Sequence, residues 1–163
     1  MGSGKSAVGR RLARELGLEF VDSDDEIERR TGVDIPYIFE KEGEAGFRQR
    51  EAEIIADLTG RTGLVLATGG GAILDAGSRE RLRSRGRVVY LRTTVDQQMA
   101  RTRHSADRPL LNNADRRGTL ERLMAIRAPL YDEVAAITVD TDGRKVKTVV
   151  DQILRAFGAQ PGA

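Results

Sequence analysis

Met1-Gly2-Ser3-Gly4-Lys5-Ser6-Ala7 decides the fold. Its glycines let the backbone curl so that several N–H groups point at one anion. Val8-Gly9-Arg10-Arg11-Leu12-Ala13 follows with helical apolar spacing, and a helix N-terminus adds its dipole at the same point. In such a loop the backbone of Gly2, Ser3, Gly4 and Ala7 cradles phosphate, Lys5 meets the outer phosphates, and the Ser6 hydroxyl ligates Mg²⁺. The same residues would also suit a simple Gly/Ser turn ahead of a helix.

The full phosphate-loop pattern is G-x-x-x-x-G-K-[ST], and with Gly4 as its second glycine the first would precede Met1. The buried strand that should feed the loop is missing as well. A parallel sheet without that central strand would leave edges and apolar helix faces unpaired. Met1 is therefore expected to be an internal methionine of a longer chain. Intact-mass analysis of the protein from its native host, showing a chain that starts at Met1, would overturn this.

The 163 residues suit one domain. Hydrophobic residues are 39%, charged residues 32% and aromatic residues 4%, a profile of helical or α/β proteins rather than disordered or membrane ones. No apolar run approaches the roughly 20 residues that span a bilayer, and no targeting segment opens the chain, so a cytoplasmic location is expected. With no cysteine and His104 as the one histidine, thiolate and histidine metal sites are excluded, and an oxygen-held ion such as Mg²⁺ is left. The 27 basic and 25 acidic residues give a net charge of +2, too little to indicate nucleic acid as a partner.

Four short strands are expected, at Leu18–Val21, Leu64–Ala67, Val88–Leu91 and Ile137–Asp140. Helical patterns separate them: 25–30, a segment capped by Asp34 with Pro36 in its first turn, 44–59, 78–84, 95–102 capped by Thr94, 119–128 interrupted by Pro129, and 146–157. Buried strands alternating with helices specify a three-layer αβα fold on a central parallel sheet, with the missing N-terminal strand as the fifth. The whole of 1–163 reads as one phosphate-loop kinase-type domain. Residues 103–118 are polar and turn-rich, as in a mobile lid, and His104 within them reads as solvated.

Ligands of open α/β sheets bind at the carboxyl ends of the strands. Asp22 and Asp24 follow one strand and Gly69-Gly70-Gly71 another. If strand geometry persists, the two aspartates point the same way, one for Mg²⁺ and one for a substrate hydroxyl. Asp-Ser-Asp is equally a turn that caps the following helix, and a glycine triplet is often a flexible turn.

Taken together, Gly-Ser-Gly-Lys-Ser, Asp22-Ser23-Asp24, Phe47-Arg48 with Glu51, Gly69-Gly70-Gly71, Arg108-Pro109-Leu110-Leu111 and Arg127-Ala128-Pro129-Leu130-Tyr131 resemble shikimate kinase over essentially the whole chain. The resemblance implies a nucleoside-monophosphate-kinase-like enzyme that moves the γ-phosphoryl of ATP to the 3-hydroxyl of shikimate, on the route to chorismate and aromatic amino acids. It implies that Lys5, Asp24 and Arg108 are catalytic, Asp24 holding substrate hydroxyls and accepting the proton. Arg48 and Arg127 would grip the substrate carboxylate, with Gly69, Gly70 and Gly71 alongside, in a substrate segment of about 24–50. Ser6 and Asp22 would serve Mg²⁺, the aspartate through water, and Arg101 and Arg144 would flank adenine, with Arg108 closing over the nucleotide from the lid. A monomer acting on a small molecule is implied, without nucleic acid or membrane.

Each arginine has a plainer reading. Arg101 and Arg144 would also suit the solvated surface, and Arg48 could pair with a helix neighbour such as Glu51. Three rival functions remain open on the residues alone. They are a kinase for another polyhydroxy acid such as gluconate or for a nucleoside monophosphate, a nucleotide-binding module without transfer, and a truncated inactive paralogue.

Overall fold

In the computed structural model, residues 2–102 and 114–158 are described. Helix α1 (Lys5–Leu16) starts directly from the glycine loop and ends at Gly17, which is left-handed at φ 64°. Strand β1 (Glu19–Asp22) pairs in parallel with β2 (Leu64–Ala67), and β3 (Val89–Arg92) pairs in parallel with β4 (Ile137–Asp140). Between β1 and β2 lie α2 (Ser23–Thr31) and α3 (Ile35–Leu58); α4 (Ala76–Arg85) precedes β3. Helices α5 (Val95–Thr102) and α6 (Arg116–Val134) lead to β4, and α7 (Val146–Ala156) follows it.

Alternation along the strands builds the three layers. Val65 packs on a core formed by Val8 and Leu12 of α1, Val139 of β4, and Val149, Val150, Ile153 and Leu154 of α7. The next residue, Leu66, packs on the opposite core of Ile27, Ile38, Phe47, Ile54 and Leu58, from α2 and α3. Val89 and Leu91 of β3 also reach the first core, so α1 and α7 cover one face of both strand pairs. Leu58, fully buried, contributes roughly 1.5–3 kcal/mol by leaving water.

The strands do not form one continuous sheet among the described residues. They form two pairs, β1-β2 and β3-β4. Each of β2 and β3 has one strand partner, and both line a single cavity of about 1110 Å³. This corrects the expectation of fully buried strands: Leu64, Val65, Leu66, Val89, Tyr90 and Leu91 are half-buried, because the strand pairs meet through the cavity rather than through hydrogen bonds.

Three further expectations are revised. Pro129 does not interrupt a helix, since α6 runs through it; both Pro129 and Ala125, whose carbonyl the missing N–H would have met, are exposed, so water can serve that carbonyl. Residues 116–118, placed in the lid by sequence, are helical, with the Asp115 carboxylate accepting from the Gly118 N–H. The glycine triplet leads into a single 3₁₀ turn at Ala72–Leu74 that sequence periodicity is too short to show. The two separate helices expected around residue 43 are present within α3: the backbone leaves the helical region at Gly43, with φ 70° and ψ −177°, and a second helical stretch starts after it.

Candidate active site

The phosphate loop and the ends of β1 and β2 open into the same cavity. Gly4 occupies the N-cap of α1 with φ 80°, a conformation that a side chain would resist, and among the described residues no side chain caps the helix. No acidic residue lies in its first turn. The free N–H groups and the positive end of the helix dipole are thus left for an anion. Arg101 on α5 steadies the loop from outside, donating to the Gly2 carbonyl at 2.7 Å and to the Thr141 carbonyl at 3.3 Å.

Asp22 stands at the junction of this loop with β1. It is buried, and its Oδ2 accepts from Ser6 Oγ at 2.9 Å and Lys5 Nζ at 3.3 Å. Its Oδ1 accepts from the Asp24 N–H at 3.0 Å, which caps α2. Strand geometry therefore stops at Asp22, and Asp24 lies in the first turn of a helix rather than two places along a strand. The two carboxylates diverge: Asp22 faces the phosphate loop, while Asp24 Oδ1 lies 2.9 Å from where a Cβ on Gly69 would be. Asp22 both caps α2 and joins Lys5 and Ser6, so the two sequence readings of Asp-Ser-Asp are compatible.

A second polar group collects around the glycine triplet. Arg48, on α3, donates to Glu51 at 2.7 Å and to Glu44 at 3.2 Å, and its guanidinium lies 5.2 Å from the Phe47 ring centroid. Its far end lies against Gly71, where any Cβ would overlap Nη1. Glu51 is 2% exposed, and burial pushes its carboxyl above the usual range, opposed by the Arg48 guanidinium. Arg127, on α6, is 5% exposed, its Nε has no partner among the described residues, and it lines the cavity with Asp24, Arg48 and Glu51. Two guanidinium groups and two carboxylates thus line one cavity, Glu51 and Arg127 buried, Asp24 and Arg48 half-buried.

A family model described as SKI, shikimate kinase, matches residues 1–157. The chain belongs to the shikimate kinase family. Shikimate kinase from Halorhodospira halophila is 55% identical over 161 residues, 99% of this chain and 91% of that protein. The enzyme from Alteromonas mediterranea is 55% identical over 97% of this chain and 92% of its own length. The structure of Acinetobacter baumannii shikimate kinase in complex with shikimate matches with a TM-score of 0.94 and 52% identity, over 96% of this chain and 88% of that one. Shikimate kinase from Aquifex aeolicus matches at 0.84 and 36%, over 97% and 92%. These matches agree with the αβα phosphate-loop fold expected from the sequence.

Within this shikimate kinase family chain, the structure brings together most residues singled out from sequence. Gly2, Ser3, Gly4, Lys5, Ser6, Ala7, Asp24, Arg48, Gly69, Gly70, Gly71, Arg101 and Arg127 all line the one cavity. Asp22 touches it through Lys5 and Ser6. Arg144 lies outside that lining and donates to Gln152 at 2.7 Å, although its N–H bonds the same Thr141 carbonyl that Arg101 reaches. Arg108, His104 and most of the expected lid fall outside the described residues. Sequence reasoning gave no role to Tyr131, whose hydroxyl donates to the Gly70 carbonyl at 2.5 Å. Nor did it place Glu51 at the site's centre rather than beside it. A glutamate on the apolar face of α3, between Phe47 and Ile54, was the available signal.

Proposed function

We propose that this chain transfers the γ-phosphoryl group of ATP to the 3-hydroxyl of shikimate, giving shikimate 3-phosphate and ADP. The observation that carries the reading is one cavity with an uncapped, glycine-led helix N-terminus at one side and, at another, buried Arg127 and Glu51 with half-buried Arg48 and Asp24. The first suits a polyphosphate; the second suits a small polyhydroxy acid, because guanidinium forks match a carboxylate and carboxylates match hydroxyls.

In this reading the amides of Gly2 to Ala7 hold the phosphates, and Lys5 neutralises charge on the transferring group. Arg101 and Arg144 are assigned to the adenine side, and Arg108 completes the nucleotide enclosure from a lid that ends before α6 begins at Arg116. Arg48 and Arg127 hold the acceptor carboxylate, with Gly69, Gly70 and Gly71 beside it. Asp24 orients the acceptor hydroxyl and receives its proton as the oxygen–phosphorus bond forms and the β–γ bridging bond breaks.

Mg²⁺ fits the same frame. Ser6 Oγ and buried Asp22 Oδ2 offer hard oxygen atoms at one point, as a cation held also by water and phosphate requires. When bound, the ion would draw charge off the β- and γ-phosphates. Further elements of the proposal are a single kinase domain with its acceptor segment at about 24–50, a monomer, no nucleic-acid or membrane partner, and a cytoplasmic site of action. Among the described residues no helix is long and apolar enough to cross a membrane.

Coupled ADP release with MgATP tests the reading, comparing shikimate, gluconate and no acceptor on this chain. Turnover driven by shikimate alone is expected. Equal turnover with gluconate, or nucleotide binding without acceptor-dependent turnover, would move the acceptor assignment to the rival readings.

A further inference from the structure

The carbonyls of the glycine triplet are all committed. Gly69 O accepts from the Ala72 N–H at 3.1 Å, Gly71 O from the Leu74 N–H at 3.0 Å, and Gly70 O from the Tyr131 hydroxyl at 2.5 Å. The first two bonds are local and come with the 3₁₀ turn. The third crosses from α6, 61 residues away. Among the described residues the N–H groups of Gly70 and Gly71 have no acceptor, and both residues line the cavity.

In a trans peptide the carbonyl of one residue and the N–H of the next point in opposite directions. Anchoring Gly70 O therefore fixes the direction of the Gly71 N–H. The peptide lies between two residues without side chains, where rotation meets little steric resistance. Tyr131 is itself well held. Its ring stacks on Tyr90 with centroids 4.7 Å apart and an interplanar angle of 29°. Burial pushes its hydroxyl above the usual range, opposed by the nearby Arg127 guanidinium, so the phenol stays protonated and donates. One turn of α6 thus presents both Arg127 and the hydroxyl that sets the glycine loop.

We propose that Tyr131 is a positioning residue for the acceptor: its hydroxyl locks the Gly70–Gly71 peptide in register with Arg127, so that glycine-loop amides and guanidinium meet one ligand together. The proposal rests on the acceptor site described above. It gives the tyrosine of the Arg127-to-Tyr131 segment a role in binding rather than in core packing. Its effect falls on the acceptor and not on the nucleotide, because the phosphate loop lies on another element.

Tyr131→Phe keeps the ring stack and removes the hydroxyl, which donates to Gly70 and also meets the Arg127 guanidinium. In the full chain, shikimate affinity by titration calorimetry should fall roughly tenfold, the loss of one well-made hydrogen bond plus the freed peptide. The KM for shikimate should rise in parallel, while kcat at saturation, the KM for ATP and the melting temperature stay as in the parent. Tyr90→Phe, whose hydroxyl reaches Met124 Sδ instead, should leave shikimate affinity unchanged. Amide and carbonyl NMR signals of Gly70 and Gly71 in the ligand-free protein report the bond directly and should move in Tyr131→Phe alone. Signals that stay in place would overturn the bond. Signals that move while shikimate affinity remains within twofold would overturn the positioning role. A parent chain that does not bind shikimate would overturn the acceptor site, and the proposal with it, even where the signals move.

Discussion

Arg127→Met separates binding from folding. Arg127 is 5% exposed, leaves Nε without a partner among the described residues, and meets the Tyr131 hydroxyl and the field of Glu51 without a salt bridge there. A guanidinium buried in this way contributes little to the fold, because one phenol hydrogen bond and the field of Glu51 repay its desolvation only in part. Methionine keeps the apolar stem that packs in α6 and gives up the charge. Stability should therefore stay within about 1 kcal/mol of the parent, a melting shift of roughly 2–4 °C for a domain of this length. The acceptor complex should lose a charge-assisted interaction of about 1.5–3 kcal/mol, or roughly 10- to 150-fold in affinity. Titration calorimetry with shikimate gives the second figure and urea unfolding the first. The KM for shikimate should rise with kcat at saturation retained, since the interaction is made in ground and transition state alike. Shikimate affinity within twofold of the parent would refute the reasoning. So would a stability loss of about 3–5 kcal/mol, the signature of a broken buried ion pair, which would mean that Arg127 is kept for the fold.

Two other perturbations follow from the same geometry. Gly71→Ala places a methyl group on Arg48 Nη1; since φ at Gly71 is −96°, the backbone accepts alanine and the flexible arginine must move away from Glu51. The KM for shikimate should rise roughly tenfold with little change in melting temperature, and a shikimate KM equal to the parent's would show that Arg48 is not needed where it stands. At low pH the relevant carboxyl is Glu26, which the hydrogen bonds from Arg29 and then Arg30 hold down to about 2 from 4.5. A depressed folded-state value means stability that is present above about 4.5 and lost as pH falls toward 2, so Glu26→Gln should flatten that part of a melting-temperature profile. An identical profile in the variant would remove Glu26 from the acid response.

Much of the fold was legible because its signals are local. Asp34 ahead of Pro36, Thr94 ahead of 95–102, and the apolar run Leu64–Ala67 between turn residues each mark an element within a few positions. Pro129 misled for an equally local reason. Its ring is costly where the freed carbonyl is buried, and whether Ala125 faces water is a property of the packed molecule. Asp24 shows the same limit, since a period of two assumes that the strand continues, and the cap that Asp22 makes on α2 ends it.

By itself the sequence determined the phosphate loop, the order of strands and helices, and the residue types that can grip phosphate, carboxylate and hydroxyl. Those follow from backbone freedom at glycine, from side-chain periodicity and from charge, all of which act within one stretch of chain. The tertiary structure alone decided that Glu51 is buried beside Arg48 in the proposed acceptor pocket, that Arg48 of α3 and Arg127 of α6 line the same cavity, and that Tyr131 reaches Gly70. Those are contacts between residues far apart in sequence, and they exist only once the two cores have fixed the helices against the strands.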